Sequence, residues 1–88
     1  MQKISLSSRK IRGSEDYYFS RVLMTGSQRD NIQDKESLIT NQLNSNYQLN
    51  DSDYRLEETK KNEFIIIPKT IKCRQKVDDL YITLSVNN

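Results

Sequence analysis

From Leu80 to Val86 the chain alternates without a break. Leu80, Ile82, Leu84 and Val86 fall on one side of an extended segment, and Tyr81, Thr83 and Ser85 on the other. A period of two is the signature of a half-buried β-strand. The same period marks KISLSSRKI near the start, where Ile4 and Leu6 alternate with Lys3, Ser5 and Ser7. Gly13-Ser14-Glu15-Asp16 has turn chemistry and ends this strand. DYYFSRVLMT follows, dense in aromatic and β-branched residues, and predicts a second strand that Gly26 closes. The two are expected to pair as an antiparallel hairpin.

Beyond Ser27 the pattern changes. SQRDNIQDKESLITNQLNSN lacks Gly and Pro, and its apolar residues Ile32, Ile39 and Leu43 recur at i, i+7 and i+11, one face of a helix. The spacing predicts a single helix over about 30–46, capped by Ser27 with Asp30 or by Asp34. Its other face, with Asp30, Asp34 and Lys35, reads as a solvated surface. Asp51-Ser52-Asp53 is either a loop or the cap of a short second helix. Tyr54 and Leu56, two apart, predict a strand. Lys60-Lys61-Asn62 predicts a hairpin turn with Asn62 left-handed, and Glu63 to Ile67 the returning strand. The resulting order is β-β-α-β-β-β: an α+β fold in one small domain over residues 1–88, with one helix packed on one face of a mainly antiparallel sheet.

Composition makes that core a thin one. Only 34% of the residues are hydrophobic and 8% aromatic, with no Trp. A chain of this size buries roughly 60–65% of the surface it exposes when unfolded. The single cysteine precludes an internal disulfide. Small domains with thin cores generally need a staple, a metal or a partner, so association is the expectation here, with another protein or with a second copy. A lone thiol fits a reducing compartment. MQKISLSSRKIRG lacks the apolar stretch of a secretory signal, and no window reaches the roughly eighteen apolar residues of a membrane span. The expected setting is the cytoplasm of a cell or of an infected host. Enrichment in Asn, Ile and Lys points toward an AT-rich genome, as in phages and mobile elements.

Net charge is +2, unevenly spread. Residues 1–26 carry five basic and two acidic side chains, residues 27–53 two and five, and residues 54–88 seven and five. The ends are basic and the middle acidic, which permits nucleic-acid binding without demanding it.

The chemistry available is narrow. With no histidine, neither a Ser–His nor a Cys–His pair exists within the chain. One cysteine supplies one ligand where zinc wants four. Cys73, between Lys72 and Arg74, reads as a small residue facing the sheet interior rather than a reactive thiol. The acidic pairs Asp51/Asp53, Glu57/Glu58 and Asp78/Asp79 sit where caps and turns want them, and Asp51/Asp53 lacks the glycine and glutamate of a calcium loop. Gly13 and Gly26 are the only glycines, too few for a phosphate loop. Neither enzymatic activity nor a cofactor or metal is expected.

Two basic groups remain. Arg9, Lys10 and Arg12 lie beside Tyr17, Tyr18 and Phe19, the mixture with which single strands are held by stacking and phosphate pairing. The second is FIIIPKTIKCRQK, where the most apolar tetrapeptide precedes Lys69, Lys72, Arg74 and Lys76. Read as extended, Lys72, Arg74 and Lys76 share a face and Lys69 takes the other. Such a row contacts phosphate, or it keeps an apolar edge strand from pairing with a second chain, the reading that Pro68 favours. The leading expectation is a non-enzymatic binding protein, an inhibitor, adaptor or assembly subunit working by protein–protein contact. The alternative is a single-stranded DNA or RNA binder using the basic-aromatic group.

Overall fold

The computed structural model describes residues 2–10 and 20–88. The order is β1 (Lys3–Lys10), β2 (Ser20–Thr25), a 3-10 turn (Arg29–Asn31), α1 (Lys35–Tyr47), a second 3-10 turn (Asp51–Asp53), β3 (Tyr54–Lys60), β4 (Glu63–Pro68), α2 (Ile71–Val77) and β5 (Leu80–Asn87). The strands form one five-stranded sheet in the order β1-β5-β2-β4-β3. Only the β2–β5 pairing is parallel. The α+β class and the mainly antiparallel sheet thus stand as expected.

The buried strand residues all share one parity: Val22 and Met24, Tyr54 and Leu56, Phe64 and Ile66, then Leu80, Ile82, Leu84 and Val86. Successive strand residues face opposite sides, so one face of the sheet carries the core. Ile39 and Leu43 of α1, and Cys73 and Val77 of α2, join the same cluster. Both helices lie on that face. The Tyr54 hydroxyl donates to Asn44 Oδ1 at 2.7 Å under α1, and the Ser20 hydroxyl donates to the Val77 carbonyl at the end of α2. Lys76 Nζ reaches the Gln48 carbonyl at 3.0 Å and ties α2 to the end of α1.

Four expectations are corrected. The described residues form two α-helices rather than one, because 71–77 is helical. β1 and β2 do not form a hairpin, since β5 is inserted between them and pairs with both. The predicted helix over 30–46 begins only at Lys35: Asp34 is its N-cap, accepting from Ser37 N at 3.0 Å, and residues 29–31 form a separate turn. Ile32 still packs against the core from outside the helix. Finally, Phe64–Ile67 is no edge. It lies in β4, hydrogen-bonded to β2 on one side and β3 on the other, and Pro68 ends the strand. The basic run therefore guards no edge.

The turn between β3 and β4 places Asn62 in the left-handed region with φ 67°. Its side chain is buried and joins separate parts of the chain. Lys35 Nζ donates to its Oδ1 at 2.6 Å, and its Nδ2 donates to Asp30 Oδ1 at 3.2 Å. The hydrogen bond from Asn62, with Lys61, Arg29 and Lys35 nearby, lowers the Asp30 pKa. Asp30 and Lys35, expected on a solvated helix face, are thus tied to this hairpin.

Gly26, with φ 102°, ends β2 where its backbone runs against β5. A Cβ there would lie 2.2 Å from the Val86 carbonyl oxygen. The obstacle is backbone, which cannot swing aside. Gly26→Ala should lower the free energy of unfolding by about 3 kcal/mol or more, measured by chemical denaturation, while Gln33→Ala on the exposed surface should change it little. Equal effects from the two would contradict this close approach.

Candidate interaction surface

Helix α2 arises from local chemistry. Thr70 is its N-cap and accepts from Cys73 N at 3.1 Å. Lys, Arg and Gln are good helix formers, and Arg74 and Lys76 in the last turn suit the negative end of the helix dipole. Cys73 and Val77, four apart, face the core. The opposite stripe, Ile71, Arg74 and Gln75 at i, i+3 and i+4, is exposed.

Ile71 is 76% exposed, against 40% for Ile4, and these are the exposed large hydrophobics among the described residues. Around it lie Lys69, Lys72 and Arg74, also exposed and making no ion pair with another described residue. Pro68, Lys69, Thr70, Ile71 and Arg74 line a hollow of about 230 Å3. This is below the roughly 300–1,000 Å3 usual for small-molecule sites.

The nine residues singled out by sequence take different positions. Arg12, Tyr17 and Tyr18 lie outside the described residues, as does Phe19. Lys10 Nζ donates to the Asp78 carbonyl at 2.6 Å, and Lys76 to that of Gln48, so both ammonium groups brace backbone. Lys72, Arg74 and Lys76 do not form a single row, because a helix turns successive alternate residues to different directions. Lys69, Lys72 and Arg74 flank Ile71. Arg9 lies elsewhere, with its guanidinium carbon 5.2 Å from the centre of the Tyr81 ring.

That contact belongs to the sheet face opposite the two described helices. Arg9, Tyr81, Arg21 and Ile65 follow one another across β1, β5, β2 and β4 in register. Arg21 also bonds Glu63 at 2.8 Å. Leu23, Ile65, Ile67, Tyr81 and Thr83 on this face are half-buried. Sequence reasoning passed over Ile71, Arg21 and Tyr81. The Tyr81 parity was legible, but its arginine neighbours come from pairings between distant segments. The signal for Ile71 was Thr70 as a cap with Cys73 and Val77 four apart.

A recess of about 240 Å3 between α1 and β3 includes Glu36, Asp51, Arg55 and Lys69, both signs of charge. Its Tyr54 hydroxyl is already bonded to Asn44. Among the described residues, no group of three or more His, Cys, Asp or Glu side chains is placed to hold a metal ion. No described helix is long and apolar enough to cross a membrane. No protein-family profile, curated protein or solved structure matches the chain.

Cys73 is 1% exposed. Burial pushes its thiol up from the ordinary value of 9.0, the charge of Asp53 adds to this, and Lys76 opposes it. The unfolded thiol therefore ionises first as pH rises. The stability linked to Cys73 is fully present below its unfolded pKa and is lost as pH climbs through the folded one. The urea midpoint should fall between about pH 8 and about pH 9.5, and by less in Cys73→Ala. A midpoint that stays level, or an identical fall in the variant, would rule out this origin.

Proposed function

We propose that this chain is a non-enzymatic binding protein, an inhibitor, adaptor or assembly subunit, that docks α2 onto an acidic surface of another protein. The observation that carries this reading is Ile71, 76% exposed amid Lys69, Lys72 and Arg74. An apolar anchor ringed by cations fits a hydrophobic spot with an acidic rim. Burying the anchor supplies affinity, while the charges speed and orient encounter. The side chains are spare: Cys73 and Val77, not Ile71, attach α2 to the core.

The test is a pull-down with the immobilised chain, followed by mass spectrometry of what it captures. Ile71→Asp and Arg74→Glu should each weaken capture of the same acidic protein by about tenfold or more. Added salt should weaken it through the Arg74 contribution, leaving a smaller salt effect in Arg74→Glu. Neither substitution should alter the thermal unfolding midpoint. Capture indifferent to both variants and to salt would sink the reading.

A second reading rests on the open sheet face, where Tyr81 stands between Arg9 and Arg21 in adjacent strands. An aromatic flanked by arginines suits an unpaired base and its phosphates. The affinity for an unstructured oligonucleotide, measured over a range of salt, would then show a steep log-log slope. Tyr81→Ala should reduce binding, and Ile71→Asp should not. A slope near zero would exclude it.

A further inference from the structure

We propose that two copies of this chain join along β1, antiparallel and about a two-fold axis through Ser5. The inference is independent of α2 and of any acidic partner. Among the described strands the sheet has two edges, β1 and β3. The β3 edge is ill-suited to pairing: Arg55, Glu57, Glu58 and Lys60 are exposed along it, and its register shifts between Glu58 and Lys60. Charges and bulges of this kind discourage addition of a strand. By contrast, all eight residues of β1 pair with β5 without a shift. Its middle, Ile4 to Ser8, carries no charge, and its outer edge leaves a row of backbone donors and acceptors unpaired by any described strand.

The pattern of β1 selects its own copy as the occupant. Residues directly opposite one another in a sheet share a face, so a two-fold pairing must match even positions with even and odd with odd. Centred on Leu6, it would set Lys3 against Arg9 of the second copy, two like charges. Centred on Ser7, it would set Ile4 against Lys10. Centred on Ser5, it sets Ile4 against Leu6 twice, Ser5 against Ser5, and Lys3 against Ser7. No like charges then stand directly opposite. Ile4 pairs with Val86, and Leu6 with Leu84, inside each copy. The apolar row therefore crosses the seam from Val86 through Ile4 to the second copy's Leu6 and Leu84. Ile4, 40% exposed in the single chain, is the side chain this row would cover. A net charge of only +2 per chain opposes the association weakly.

Sedimentation equilibrium of the purified chain, with no other protein present, tests this. The expected result is a concentration-dependent mass rising toward twice 10.4 kDa. Ile4→Lys should raise the dissociation constant by about tenfold or more while leaving the circular dichroism spectrum unchanged. Under mild oxidation Ser5→Cys should crosslink as a dimer and Ser8→Cys should not, since only Ser5 meets itself across the axis. A chain that remains monomeric at about 1 mM, weaker than the usual range of specific dimers, would overturn the proposal. So would a dimer indifferent to Ile4→Lys, or crosslinking through Ser8→Cys in place of Ser5→Cys. The α2 reading would survive any of these failures, because its variants lie on a different surface.

Discussion

The architecture depends on β5 being paired on both sides while one whole face of it is sealed. Leu80, Ile82, Leu84 and Val86 are each 6% exposed or less. Among the described strands β1 is joined to the sheet through β5 alone, although β2, α1, β3, β4 and α2 lie between them in sequence, and β5 also joins this pair to β2. A one-residue slip would exchange those four apolar side chains for Tyr81, Thr83 and Ser85 on the core face. The register is therefore fixed by burial, and Gly26 is fitted closely to the Val86 backbone beside it. The helices complete the seal, α1 with Ile39 and Leu43 and α2 with Cys73 and Val77.

The two described helices cover one face of the sheet, and three other described surfaces remain. These differ in kind. The outer stripe of α2 sets an apolar side chain among cations that make no ion pair with another described residue. The sheet face that neither described helix covers alternates arginines, Tyr81 and aliphatic residues. The β1 edge offers backbone and two aliphatic side chains. Other charged groups that look functional in sequence are occupied in structural roles: Lys10 and Lys76 on carbonyls, and Lys35 and Asp30 on Asn62. A count of basic residues therefore overstates how many of the described cations are left without an internal hydrogen-bond partner.

What was legible in the sequence was local. The alternation of β5 gave its orientation residue by residue. Tyr54 with Leu56, and Lys60-Lys61-Asn62, gave the β3–β4 hairpin down to the positive φ of Asn62. Asp34 as a cap was legible for the same reason. What escaped was either nonlocal or weakly signalled. Nothing in KISLSSRKI states that its partner lies some eighty residues away, and a nearby second strand made a hairpin the natural expectation. Helix α2 has a two-residue apolar face, too small to stand out beside the alternating charge of Lys72, Arg74 and Lys76. Reading that run as extended led to the edge-guarding account, and hid Ile71 as an outward-facing residue.

The position of β5 also shapes how the chain reaches its folded state. This strand, paired on both sides, is the last described element to emerge during synthesis, and its pairing with β1 spans nearly the whole length of the sequence. Contacts between such distant segments close slowly, because loop entropy is lost before they form. Until residues 80–87 clear the ribosome, β1 and β2 have no shared neighbour, and the β2–β4–β3 part must wait with its apolar face incompletely covered. The nascent chain thus passes through an interval in which it is exposed to aggregation or to chaperone capture.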